Sequence, residues 1–148
     1  MDKYTKKEII NKLNESKYAG RYHIYNTCLE QNEIRWKYGY RLKYEDKLKG
    51  DGLKHFAFIK FCLNEKGEKI GLVSGKSASK NVIGRSDLNF STNPNHGPAR
   101  RWLIKEKNEW CQTEVIIIGA NAIGNKENRR EAFQIELDLK GMFNLFGS

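Results

Sequence analysis

Four groups of polar residues in this chain have types and spacings that could do chemistry. The first is Gly75-Lys76-Ser77, where a strand end brings main chain and one ammonium within reach of a phosphate. It is not a nucleotide-binding P-loop. That pattern needs a glycine, four residues, then Gly-Lys-Ser/Thr, and only three residues separate Gly71 from Gly75. A polar stretch also follows Ser77, where a P-loop needs a helix N-terminus to receive phosphate. The second is His96, in Asn93-Pro94-Asn95-His96-Gly97-Pro98. A loop histidine there suits proton transfer or donation to a phosphate. The third is Arg100-Arg101, in the first turns of a helix opened by Pro98. Cations at a helix N-terminus oppose its dipole, so they point to an anion bound nearby. Adjacent side chains project about 100° apart, so only one of the pair faces a given site. The fourth is Glu136, among Ala132, Phe133, Ile135, Leu137 and Leu139. With Ala132, Phe133 and Leu139 it follows the i, i+1, i+4, i+7 spacing of an apolar stripe, which predicts partial burial. A carboxylate there costs free energy unless it is paired or bound to a metal. One divalent cation near Arg100 satisfies it; so does a Lys or Arg partner at the stripe edge. Glu131 is a rival ligand but follows Arg129-Arg130 and reads as solvent-facing.

Other chemistries are poorly supported. His23, His55 and His96 lack metal-ligand spacing. Cys28, Cys62 and Cys111 are odd in number and unpatterned, which reads as reduced core thiols in a cytoplasmic protein. No apolar run approaches the length of a membrane span, and Met1 leads into a polar segment with no secretory signal.

The charge has a location. The chain of 148 residues carries 27 Lys+Arg against 18 Asp+Glu, a formal net charge of +9. Residues 76–101 hold Lys76, Lys80, Arg85, Arg100 and Arg101 against Asp87 alone, amid Ser, Asn and Gly. That is the composition of a phosphate-contacting surface. The remaining surplus lies in residues 1–54, where tyrosines and Trp36 interleave with Arg21, Arg35, Lys37, Arg41 and Lys43. Alternating aromatic and basic positions on a hairpin suit nucleic-acid contact, and equally suit a hairpin packing its aromatics on a core.

The elements that must position these residues follow from hydrophobic period. Tyr4–Ser16 predicts an amphipathic helix, with Ile9, Ile10 and Leu13 as its stripe. Residues 21–29 and 34–42 read as a hairpin, and Lys49-Gly50-Asp51-Gly52 as a soft boundary. Residues 55–63 and 69–74 make a second hairpin around Asn64-Glu65-Lys66-Gly67. A polar loop leads to a helix over 98–107, a buried strand over 114–119 and a helix over 125–142. The fold class is α+β, a small antiparallel sheet flanked by helices, with 1–54 an accessory helix and hairpin and 55–148 the core.

In this order the residues of 55–148 resemble the GIY-YIG nucleases, whose core is a β-hairpin, a helix with a catalytic Arg, a third strand and a helix with a metal-binding Glu, then an Asn. Val73-Ser74-Gly75-Lys76-Ser77 is similar to the second motif, Arg100 to the family arginine, Glu136 to the ligand glutamate and Phe143-Asn144-Leu145 to the terminal element. The motif tyrosines are absent: Ala57-Phe58-Ile59 stands in the first motif, and Val73 replaces the tyrosine of the second. The resemblance implies a DNA endonuclease using a single Mg²⁺ or Mn²⁺ at Glu136. Arg100 would neutralise phosphate charge, and Lys76, or secondarily His96, would help deprotonate water. Asn144 would position a partner in the site. Lys80, Arg85 and Arg101, with Arg35, Lys37 and Arg41, would contact DNA, and a palindromic cutter of this restriction type would be a homodimer. Two other readings stand beside it: a non-catalytic nucleic-acid-binding module, and a phage-type inhibitor whose basic face meets an acidic protein.

Overall fold

A computed structural model describes residues 3–26, 56–77, 97–119 and 125–147. These form α1 (Lys6–Asn14), β1 (Tyr22–Asn26), β2 (Phe56–Leu63), β3 (Lys69–Ser77), α2 (Gly97–Glu106), β4 (Glu109–Gly119), α3 (Asn125–Phe143) and β5 (Phe146–Gly147). The strands make one mixed sheet in the order β1-β4-β2-β3-β5, antiparallel except for the short β3–β5 pair. The α+β class expected from the sequence is observed. The predicted strand over 34–42, the boundary at 49–52 and the long loop lie outside the described residues.

β2 is the central strand, and every residue from Phe56 to Cys62 is buried. Its two sets of side chains feed two cores. Ala57, Ile59 and Phe61 join Ile116 and Ile118 of β4 beneath α1 and α3, which supply Ile9, Leu13, Ile135, Leu139 and Phe143. On the opposite face Cys62, Ile70, Leu72 and Val73 pack against Ala99 and Leu103 of α2. Lys60 is also buried, with its Nζ 4.8 Å from the Phe58 ring centroid and 5.8 Å from that of Trp110.

Local chemistry sets the ends of these elements. Thr5 caps α1: its hydroxyl accepts from the Glu8 N–H while the Glu8 carboxylate accepts from the Thr5 N–H, a capping box. A nine-residue helix is too short to persist alone. Full burial of Ile9 and Leu13 holds it, each contributing about 1.5–3 kcal/mol. In the β2–β3 turn, Asn64 Oδ1 accepts from the N–H groups of Lys66 and Glu68, and Gly67 takes a φ of 77°, which glycine adopts without strain.

Residues 3–26, the described part of the first 54, are joined to the sheet of the core. β1 pairs along β4 from Tyr22↔Ile118 to Asn26↔Glu114, so it is a strand of the same sheet. Lys6 and Lys69 clamp Glu114 at 2.5 and 2.9 Å, tying α1, β3 and β4 together. β4 also begins earlier than its apolar run suggested, because Glu109 and Trp110 pair with Leu63 and Cys62 beyond a register shift.

One irregularity in β3 decides where the polar residues go. Lys60 pairs with Val73 but Phe61 pairs with Gly71, so Leu72 is an extra residue on β3. A bulge of this kind reverses the facing of everything beyond it. Leu72 and Val73 both pack toward α2. Ser74 then turns to α3, where its hydroxyl donates to the Glu136 carbonyl at 2.9 Å. Lys76 follows on that side, with its Nζ 5.8 Å from the Phe133 ring centroid.

Candidate functional site

The buried stripe of α3 is Ala132, Ile135, Leu139 and Phe143. Phe133 was expected on that stripe, but it is 44% exposed, and Glu136 sits at the stripe's edge, half-buried. The reason is rotational. At about 100° per residue, Glu136 falls just outside the buried arc and Phe133 well outside it. Arg129, Phe133, Glu136 and Lys140 therefore form the flank of α3 that faces β3.

The bulge in β3 and the roll of α3 together bring Lys76 to the flank of α3 that carries Glu136. Burial raises the Glu136 carboxyl above its usual range, and the nearby Lys76 and Lys140 ammonium groups offset part of that rise. Sequence reading missed Lys140, although a Glu followed by Lys at i+4 was its signal. It also missed Ser74 as the residue that seats β3 against α3, and no sequence pattern marked the bulge.

Arg100 and Arg101 are exposed on α2. α2 packs through Ala99 and Leu103 on the face of the sheet opposite α3. Its last residues hand the chain to Glu109, which pairs with Leu63 at the turn end of the hairpin. Arg100 lies roughly 10 Å of helix back from that end. Arg100 and Glu136 are thus on helices that pack on opposite faces of the sheet.

Asn144 follows α3 with a φ of 51°, a left-handed helix-ending conformation that asparagine tolerates. Its carbonyl accepts from Lys3 Nζ, which also lies 4.0 Å from the Phe146 ring centroid. Burial lowers the pKa of that ammonium. His96, Lys80, Arg85, Arg35, Lys37 and Arg41 lie outside the described residues.

The opposite flank of α3 is occupied structurally. Tyr18 is 1% exposed and its hydroxyl donates to Asp138 at 2.6 Å. Burial first, then this bond, raises the phenol's pKa. Glu131 is not solvent-facing as expected; it is part-buried and accepts from Arg21 Nη2 at 3.0 Å. That guanidinium also donates to the Gly119 carbonyl at 3.3 Å. These groups line a surface cavity of about 440 Å³ in which Lys17 and Arg21 face Glu131 and Asp138. Tyr18, Arg21 and Tyr22 are thus engaged within the fold, Tyr22 through its bond to Asn14.

Among the described residues no group of three or more His, Cys, Asp or Glu could hold a metal ion. The donor chemistry at Glu136 still fits one. Mg²⁺ keeps several waters and is commonly held by one or two carboxylates plus substrate phosphate. Glu136 supplies one half-buried carboxylate, and Lys76 on neighbouring β3 is exposed. Cys62 and Cys111 are buried, and burial pushes the Cys62 thiol up to about 12. No helix among the described residues is long and apolar enough to cross a membrane. Comparison with protein-family models, with curated proteins and with solved structures finds no match.

Proposed function

We propose that this chain is a metal-dependent DNA endonuclease of GIY-YIG type that works at the flank between β3 and α3. The observation that supports the reading is the seating of β3 on α3, where the Ser74 hydroxyl donates to the Glu136 carbonyl and the Lys76 ammonium lies 5.8 Å from the Phe133 ring centroid, on the flank that carries Glu136. Lys76 and Glu136 come from the hairpin and the last helix of a hairpin-helix-strand-helix order, with one helix on each face of the sheet. A half-buried carboxylate on a helix flank that also carries lysines, in a chain of net charge +9, suits a cation and a phosphodiester together.

Glu136 would hold Mg²⁺ or Mn²⁺, which when bound supplies positive charge against the oxygen that leaves. The chain's own residues do the rest. The Lys76 ammonium lowers the cost of removing a proton from the attacking water, the task that His96 would otherwise serve, and it draws the phosphate to the flank. Ser74 fixes the height of Glu136 on β3 through the Glu136 carbonyl, leaving the carboxylate to the ligand. Arg100 neutralises phosphate charge from the α2 face of the sheet. Arg101, with Lys80, Arg85, Arg35, Lys37 and Arg41, follows the backbone, giving affinity that falls with salt. Asn144 acts through its main chain, ending α3 and anchoring Lys3. A cutter of palindromic sites would work as a homodimer.

A second reading has its own support: two lysines flank Glu136 and Arg100 sits on the other face, as in a binding module without catalysis. A plasmid-nicking assay with Mg²⁺ or Mn²⁺ separates the two. Cleavage that disappears in Glu136→Ala and Arg100→Ala supports the nuclease. No cleavage, with a salt-sensitive gel shift retained, selects the binding module.

A further inference from the structure

The flank that holds Glu136 carries an aromatic ring that is partly open to solvent. Phe133 is 44% exposed and Leu137, one turn on, is 45% exposed. Single exposed apolar residues are ordinary on protein surfaces, and Ile104 on α2, 70% exposed, is one. Phe133 differs in its surroundings. Arg129 lies four residues before it on the same flank and Lys140 seven after it, both exposed. Lys76 adds a third cation, its Nζ 5.8 Å from the ring centroid. The acidic groups at 131 and 138 lie on the other flank, engaged with Arg21, Lys17 and Tyr18. Glu136 is the carboxylate among the described residues of this flank. An exposed aromatic ring with one cation beside it and two more along the same helix flank has the composition of a platform on which an unpaired base stacks while phosphates lie alongside. Along the helix axis Phe133 is about 4.5 Å from Glu136, so the two address neighbouring parts of one nucleotide.

We propose that Phe133 stacks on an unpaired nucleobase of single-stranded DNA, with Arg129, Lys76 and Lys140 on the adjacent phosphates, and so sets the register of the strand over Glu136. The inference rests on the reading of this flank as the DNA-facing one, but it does not require cleavage.

The test measures binding in EDTA, so that catalysis plays no part. The probe is a fluorescent single-stranded oligonucleotide containing 2-aminopurine, read by anisotropy and by the emission change on stacking. Phe133→Ala should weaken binding by about 5- to 150-fold, the range for loss of one base–aromatic stack. It should also abolish the emission change. Phe133→Leu, which keeps bulk but lacks a π-face, should behave likewise. Phe133→Trp should bind as wild type does, and Ile104→Ala, the exposed control, should change nothing. Because Phe133 is exposed, circular dichroism should show all four variants folded. Affinity for Phe133→Ala within twofold of wild type overturns the proposal, as does a wild-type protein that binds no single-stranded DNA. So does a Phe133→Ala variant whose only defect is loss of self-association in sedimentation, which assigns the ring to a second copy of the chain. Wild-type stacking without nicking activity leaves this proposal standing and removes the nuclease; nicking that is unaffected by Phe133→Ala, with affinity unchanged, does the reverse.

Discussion

Replacing Glu136 with glutamine separates a carboxylate kept for a ligand from one that braces the fold. The substitution preserves shape and leaves the main-chain carbonyl that accepts from Ser74. It removes attraction to Lys140 at i+4, worth about 0.3–0.5 kcal/mol, and a comparable term from Lys76. It also removes the desolvation of the carboxylate. The Glu136 carboxyl is raised even with both lysines nearby, so burial outweighs their combined attraction. Discounted for the solvent that still reaches this half-buried group, the net change should fall between about zero and 0.5 kcal/mol in favour of the variant. For a chain of this length that is no loss in Tm, and a gain of at most about 2 °C. Cleavage should fall by about 100-fold or more, because the cation-holding group is gone. Thermal melts at pH 7.5 in EDTA and nicking of supercoiled plasmid in Mg²⁺ read the two arms. A Tm lowered by more than about 5 °C with cleavage unchanged would refute the reasoning and make Glu136 a structural ion-pair partner.

Further predictions concern the frame. A Cβ on Gly71 would stand 2.5 Å from Ile9 Cδ1 and 3.2 Å from Leu145 Cδ2, both in the packed core, so Gly71→Ala should cost about 1–3 kcal/mol in urea titration; an unchanged midpoint would mean that α1 shifts freely. Tyr18→Phe removes the hydroxyl that donates to Asp138 and should cost about 0.5–1.5 kcal/mol, with no effect on DNA binding if that flank is structural. Burial alone would raise the Glu114 carboxyl, but the hydrogen bonds and charges of Lys6 and Lys69 outweigh it and lower its pKa. Its contribution to stability should therefore be present above the ordinary carboxylate range and lost as pH falls through the lowered value. Glu114→Gln should be the less stable protein at pH 7, the gap closing in strong acid; a gap independent of pH would show that charge is not its source.

The described core was largely legible as local pattern. Ile9 and Leu13 marked the stripe of α1, and Asn64-Glu65-Lys66-Gly67 marked the hairpin turn; both signals lie within a few residues of chain. The same holds for the helix opened by Pro98 and for the long last helix, whose bounds moved by a residue. Burial of Tyr18 and the pairing of Arg21 with Glu131 were not legible, because each depends on a partner more than a hundred residues away. The aromatic and basic residues of the first segment had therefore read equally well as a surface.

What the sequence determined by itself was the order of elements, the hairpin and helix positions, and the residue types that could serve a phosphate and a cation. Which of them meet was decided by the tertiary structure. Strict alternation along β3 from Ile70 would have sent Ser74 and Lys76 to the α2 face, with Arg100's helix and away from Glu136. One extra residue at Leu72 turned them to α3. The bulge has no signature in Lys69–Ser77, because it arises from how β3 must register against β2 while Gly71 passes close beneath Ile9. Side-chain period belongs to a strand alone; its phase is set by the strand beside it.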